Sequence, residues 1–176
     1  MNVIRVEDAA VEPLTADEVK RHLRVDQNDE DALIESLIRS ARHYAEAFTR
    51  RAFITQRWVM KLDRFPERDG KIVLPFPPLQ AVESLGYIDE DGEEQILTEE
   101  IEYLVDSADE PGKVYLVYDH EWPSTREQAN AVTIQFRAGY GDAGADVPEP
   151  IKQAMLMMIG HWYANREDSV IGTVVN

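Results

Sequence analysis

Three groups of residues in this chain have types and spacings that could do chemistry. The first is Gly139-Tyr140-Gly141-Asp142-Ala143-Gly144, which satisfies the pattern G-x-G-x-x-G. In a dinucleotide-binding unit such glycines let the backbone turn tightly against a pyrophosphate, and a helix starting there aims its N–H groups at the phosphates. The chemistry also needs a second parallel strand with an acid at its end. Here Val147-Pro148-Glu149-Pro150 delays the helix past the glycines, and no acid follows the only later stretch that could be a strand. Gly139–Gly144 therefore reads as a turn between a strand and a helix, and a nucleotide-binding enzyme stays a remote alternative. The second group is His43 and Glu46, at the i, i+3 spacing of half a di-iron carboxylate site. That site needs a second such pair, and none is present. The third is Asp26-Gln27-Asn28-Asp29-Glu30-Asp31, which starts like a calcium loop but has Asp31 where glycine is needed and Leu37 where the bidentate Glu belongs. It reads as a helix cap. His22, His120 and His161 are scattered, and no G-x-S-x-G, H-E-x-x-H or P-loop is found. No catalytic, cofactor-binding or metal-ligating residue is assigned, and no cofactor is expected.

The elements that would position these residues fall into three regions. Thr15-Ala16-Asp17-Glu18 is a capping box for a short helix carrying Val19 and Leu23 on one face. Asn28 or Asp29 then caps a longer helix. Its apolar residues Leu33, Ile34, Leu37, Ile38, Ala41, Tyr44, Ala45 and Phe48 recur at i, i+3, i+4 and i+7. Residues 53–138 are β-rich. Ile54, Trp58, Met60 and Leu62 alternate with Thr55, Arg57 and Lys61, and Val132, Ile134 and Phe136 alternate with Thr133, Gln135 and Arg137. Pro75, Pro77 and Pro78 restrict Ile72–Leu74 to a short or edge strand. Asp91-Gly92 marks a hairpin between Val82–Asp89 and Glu94–Leu97, and Pro111-Gly112 turns into Lys113–Tyr118. A proline-started helix over 148–166 carries Ile151, Ala154, Met155, Met158 and Trp162 in one stripe, widened by Leu156, Ile159 and Tyr163. So broad an apolar surface suggests more than one neighbour. Met155, Met158 and Trp162 are candidates for packing against another subunit. The pattern predicts an α+β fold, with about three helices in a small bundle and an antiparallel sheet or sandwich inserted between the second and third.

The 176 residues suit one domain with no internal repeat. The absence of cysteine excludes disulfides and Cys-based zinc sites and fits a reducing compartment. No apolar run is long enough to span a bilayer, and the acidic N-terminal stretch does not read as a signal peptide, so a soluble cytosolic protein with no membrane partner is expected. The formal net charge is −16, which argues against gripping nucleic acid phosphates. Asp89–Glu110 holds eleven acids and no Lys or Arg. This stretch reads as solvated hairpin loops, or as a negative surface that meets a basic partner or lets DNA pass.

The order and spacing of several short marks resemble the head–tail connector (adaptor) proteins of tailed bacteriophages, which also occur in prophages and gene transfer agents. The marks are Leu14-Thr15-Ala16-Asp17-Glu18-Val19-Lys20-Arg21-His22-Leu23-Arg24-Val25, Asp29-Glu30-Asp31-Ala32-Leu33-Ile34, Ala52-Phe53-Ile54-Thr55-Gln56, Leu74-Pro75 with Pro78-Leu79, and Ala138-Gly139-Tyr140-Gly141 followed by Val147-Pro148 and Ile151-Lys152-Gln153-Ala154. They end in His161-Trp162-Tyr163 and Asn165-Arg166-Glu167. The resemblance covers most of the chain. It implies one connector domain over 1–176, with a helical part at 15–50, a β-rich insertion at 53–138, a C-terminal helix at 148–166 and an extended tail at 167–176. It also implies a non-enzymatic virion protein that forms a ring, usually of twelve subunits, beneath the portal. Such a ring extends the DNA channel, receives stopper or tail-completion proteins, and passes genomic DNA without specific binding. Its location would be the neck, with the host cytoplasm during assembly. By the same resemblance the tail residues Ser169, Val170, Ile171, Gly172, Thr173, Val174, Val175 and Asn176 would dock on the portal. A soluble regulatory or peptide-binding module, using the sheet edge near Pro75–Pro78 or the tail, is the alternative.

Overall fold

The computed structural model describes residues 1–67 and 70–165. The chain begins with an edge strand, β1 (Asn2–Glu7), followed by helices α1 (Ala16–Leu23) and α2 (Asp31–Thr49). Seven strands come next: β2 (Gln56–Leu62), β3 (Ile72–Val73), β4 (Leu79–Ile88), β5 (Glu94–Leu97), β6 (Tyr103–Asp106), β7 (Lys113–Leu116) and β8 (Val132–Ala138). A short 3-10 turn at Gly144–Asp146 leads into α3 (Glu149–Ala164). The α+β reading holds, with the antiparallel strands β2–β8 between the second and third helices. β1, ahead of the helices, is an addition to it.

The strands form two antiparallel sheets, one in the order β1-β2-β8-β4-β5 and one in the order β3-β7-β6. The alternation in β2 and β8 works as expected. Met60 pairs with Ile134 and Trp58 with Phe136, so their side chains share one face. That face meets Leu74, Val114 and Tyr103 in a sheet-on-sheet core, while Arg57, Lys61, Gln135 and Arg137 stay on the other side. The Asp91-Gly92 hairpin is present, with β5 closing on β4 through Leu85–Leu97 pairing.

A second core lies among the helices. Val19 of α1, Ile34, Ile38 and Ala41 of α2, and Met155, Leu156 and Ile159 of α3 cluster with Phe53, Ile54 and Val147 from the loops. These loops anchor the bundle to the sheets. Ile54 belongs to this helical core rather than to the strand, which starts two residues later.

The Thr15 capping box forms: the Glu18 amide donates to the Thr15 hydroxyl at 3.2 Å, and the Thr15 amide donates to the Glu18 carboxylate at 2.7 Å. The start of α2 differs from expectation. Its N-cap is Glu30, without a side-chain capping bond. Asn28 instead accepts from Lys20 Nζ at 2.6 Å, and Lys20 also pairs with Asp31 at 2.5 Å. A buried lysine from α1 takes the polar groups that would otherwise cap α2.

Candidate functional site

The glycine turn is occupied by the chain itself. The Gly139 amide donates to the Pro78 carbonyl at 2.9 Å, the Tyr140 amide to the Phe53 carbonyl at 3.0 Å, and the Ala143 amide to the Asp146 carboxylate at 2.9 Å. The Gly141 carbonyl accepts from the Thr55 amide at 2.9 Å, and the Gly139 carbonyl from the Gln80 side chain at 2.9 Å. Gly139 has a φ of +137°, and a Cβ there would lie 2.5 Å from the Ile54 carbonyl oxygen. The α3 helix starts five residues past Gly144. These glycines serve close backbone packing where the loops of the two cores meet, and the Gly139, Tyr140 and Ala143 amides are turned to acceptors within the chain.

His43 and Glu46 do not act as a metal pair. His43 faces Asp8 at 3.7 Å. Glu46 is buried and accepts from the Phe53 amide at 2.9 Å and from Gln56 Nε2 at 2.7 Å. Beside it, Arg42 of α2 is only 2% exposed. Its Nε donates to Glu12 at 2.8 Å, one terminal nitrogen also reaches Glu12 at 3.1 Å, and the other reaches Asp8 at 3.1 Å and Glu46 at 3.3 Å. Burial pulls the guanidinium toward losing its proton, but the Glu12 bond and the surrounding carboxylates outweigh this and hold it above its ordinary value. Burial pushes the Glu46 carboxyl above its ordinary range despite those bonds. Burial also acts upward on Asp8, but the Ala9 amide and Arg42 overcome it and hold Asp8 low. This knot ties the N-terminal segment, α2 and the start of β2 together. The i, i+4 spacing of Arg42 and Glu46 could have hinted at their own pair, but nothing local points to Glu12 and Asp8.

Next to the knot opens a groove of about 330 Å³ lined by Arg5, His43, Glu46, Arg51, Trp58 and Phe76. The rings of Trp58 and Phe76 stack at 4.1 Å, and the Arg5 guanidinium sits 5.8 Å from the indole centre. Arg51 pairs with Glu110 and donates to Tyr140 at 3.1 Å. Phe76 holds a positive φ of 62° between two prolines. The Trp58 indole nitrogen is buried with no acceptor among the described residues.

The three packing candidates on α3 separate. Met155 is fully buried in the chain's own helical core, so it offers no surface to a second copy. Met158 and Trp162 are half-buried and pack at the edge of that core. Trp162 meets Tyr44 of α2 edge-to-face at 6.1 Å. Beside them on α2, Tyr44 is 58% exposed and Phe48 80%. Periodicity placed Tyr44 and Phe48 with the buried stripe, whereas they line an open aromatic face. The tail Ser169–Asn176 lies outside the described residues. Among the described residues no helix is long and apolar enough to cross a membrane.

No curated protein matches the chain. Its fold is similar to chains in three solved assemblies. The first is the neck of an empty GTA particle computed with C6 symmetry, with a TM-score of 0.80, 23% identity, and coverage of 98% of this chain and 88% of that one. The second is the virion of a native gene transfer agent (GTA) particle, at 0.77, 23%, and 96% and 87%. The third is the neck of a native GTA particle computed with C12 symmetry, at 0.73, 24%, and 96% and 86%. At these identities the likeness shows the fold. The family described as phage gp6-like head-tail connector protein matches residues 14–109, more than half of the chain. The protein belongs to that head–tail connector family and is a structural connector.

Proposed function

We propose that this protein is a non-enzymatic ring subunit of a virion neck, set beneath the portal and joining capsid to tail. Membership of the connector family over residues 14–109 carries the reading. The structural neighbours agree with it, because they come from gene transfer agent particles, two of them from necks treated with C6 and C12 symmetry. On the same reading the ring has twelve copies, with a portal above and a stopper or tail-completion protein below. The subunit would be in the host cytoplasm during assembly.

The molecule has what a ring subunit needs. A ring of more than two copies requires two different surfaces on each copy that are complementary to each other. The described surface offers the open aromatic face of Tyr44 and Phe48 on the bundle, and free sheet edges at β1 and β5. Large aromatic and Met side chains are the types enriched in the fully buried part of an interface. The channel function is met by charge: a subunit of −16 repels DNA rather than holding it. Met158 and Trp162 are proposed as the border of the packing face, and Ser169–Asn176 as the portal-docking segment.

The test is co-expression with the portal of the same particle, followed by native mass spectrometry and electron microscopy. Rings stacked on the portal are expected. A protein that stays monomeric and leaves the portal bare overturns the proposal.

A further inference from the structure

The two ends of the five-stranded sheet differ in chemistry. At the β1 edge lies the groove, where Arg5, His43 and Arg51 surround the stacked rings of Trp58 and Phe76. At the β5 edge the hairpin joining β4 to β5 carries Asp89, Glu90, Asp91, Glu93 and Glu94, and Ile96 beside them is 74% exposed. β1 and β5 are the outermost strands on opposite sides of the sheet.

We propose that the cationic–aromatic groove receives the acidic β4–β5 hairpin of a second copy of this chain. The proposal rests on the ring reading above and names one of its interfaces. Charge complementarity selects the occupant. In a chain with 34 acids against 18 Lys and Arg, the groove brings together two guanidiniums whose side chains are still open, 32% for Arg5 and 29% for Arg51, with the imidazole of His43, 49% exposed, beside them. Their intrachain partners Asp8, Glu46 and Glu110 neutralise part of this charge. A long phosphate backbone would therefore meet acids as well as cations, whereas a short acidic turn reaches only the groove. The hairpin also offers Ile96, an aliphatic side chain that suits the aromatic floor. Its shape is held from within: Asp89 accepts from the Asp91 and Glu93 amides and from Gln95, so Glu90, Glu93 and Glu94 are left pointing to solvent.

The topology gives the proposal its consequence. A groove at one edge that fits a hairpin at the other makes a head-to-tail contact, which leaves each bound copy with one unused groove and one unused hairpin. Such contacts propagate and close into a ring when the rotation per copy allows. A face-to-face pair would instead stop at a dimer.

The chain has no cysteine, so cross-linking can report the contact cleanly. Ala47 is an exposed residue of α2 in the groove wall, and Glu93 is exposed at the hairpin. One preparation carries Ala47→Cys, a second Glu93→Cys, and a control carries Glu35→Cys on an exposed turn of α2. Thermal unfolding first establishes that each variant folds. The Ala47→Cys and Glu93→Cys mixture is expected to form mixed disulfides at least about tenfold faster than the Ala47→Cys and Glu35→Cys mixture, because docking raises the effective thiol concentration. Adding Glu90→Lys and Glu94→Lys to the hairpin chain is expected to remove the advantage. Equal rates in the two mixtures overturn the proposal. If rings still form on the portal with equal rates, the groove is not their interface and the ring reading stands. If the pair cross-links quickly while no ring forms, the interface stands and the ring reading falls.

Discussion

Gly139 shows what single residues decide in this molecule. With φ at +137° and a Cβ position 2.5 Å from the Ile54 carbonyl oxygen, any side chain there must push apart the strand pairs that carry β2 and β8. Gly139→Ala is expected to cost on the order of 2–4 kcal/mol, combining strained backbone with backbone overlap, read as a fall in the urea midpoint. Addition of a dinucleotide should leave that midpoint unchanged in the native chain, because the Gly139, Tyr140 and Ala143 amides are bonded internally and no helix N-terminus sits at the glycines. Arg42 works by charge. Arg42→Ala would take from buried Glu46 its nearer cation, leaving only Arg5 at 3.9 Å, and would strand Glu12 as well, so a loss of about 3–5 kcal/mol is expected. The pH dependence follows from Glu46, whose carboxyl is raised by burial. A raised carboxyl means that the folded state holds its proton to higher pH than the unfolded state does. Its contribution to stability therefore falls as pH rises from the ordinary glutamate range toward neutrality. Glu46→Gln removes this term, so the melting-temperature difference, native minus variant, should shrink over that window. A difference that grows would contradict the assignment. The Thr15–Glu18 pair was legible in the sequence because both partners sit within one turn. The Arg42 knot was not, because Glu12 and Asp8 lie 30 and 34 positions away, and local patterns do not encode such distances.

At the scale of elements, the helices have a buried side and an open side that periodicity alone merged. In α2 the residues Ile34, Ile38 and Ala41 enter the core, whereas Phe48 is 80% exposed one turn beyond the last core contact. The i, i+3, i+4 rule marks which residues can share a stripe, but the width of the partner decides how much of it is covered. α1 and α3 cover part of the α2 stripe, and Tyr44 and Phe48 fall outside. Replacing Phe48 by Ser should change stability by no more than about 0.5 kcal/mol, since it is already in solvent. Ring formation on the portal should drop sharply if the face packs a neighbour, as quantitative native mass spectrometry would show. Unchanged assembly would remove this face from the interface. Strands with both flanks paired, such as β8, were legible from strict alternation. β1 was not, because an edge strand exposed on most of its length, with the burial of Val3 as its main anchor, shows no clean alternation. Its place is set by the partner strand β2.

The whole molecule joins two separate cores through the Gly139–Gly144 turn and the loop around Phe53 and Ile54. That junction is why the family marks at Ala52–Gln56 and Ala138–Gly141 lie far apart in sequence and adjacent in space. Net charge acts at this scale as well. Of the 34 acids, eleven fall in Asp89–Glu110, against 18 cations in the whole chain, some of them held in ion pairs such as Arg57 with Glu83 and Lys152 with Glu149. A duplex approaching a subunit of net charge −16 is repelled on balance, and little counterion release is available to drive binding. The assembled protein should therefore show no retention of linear double-stranded DNA in an anisotropy or gel-shift assay, even near 50 mM salt where electrostatic binding is strongest. Retention that weakens steeply with added salt would reveal a basic surface built by assembly, and would contradict a channel wall that lets DNA slide past.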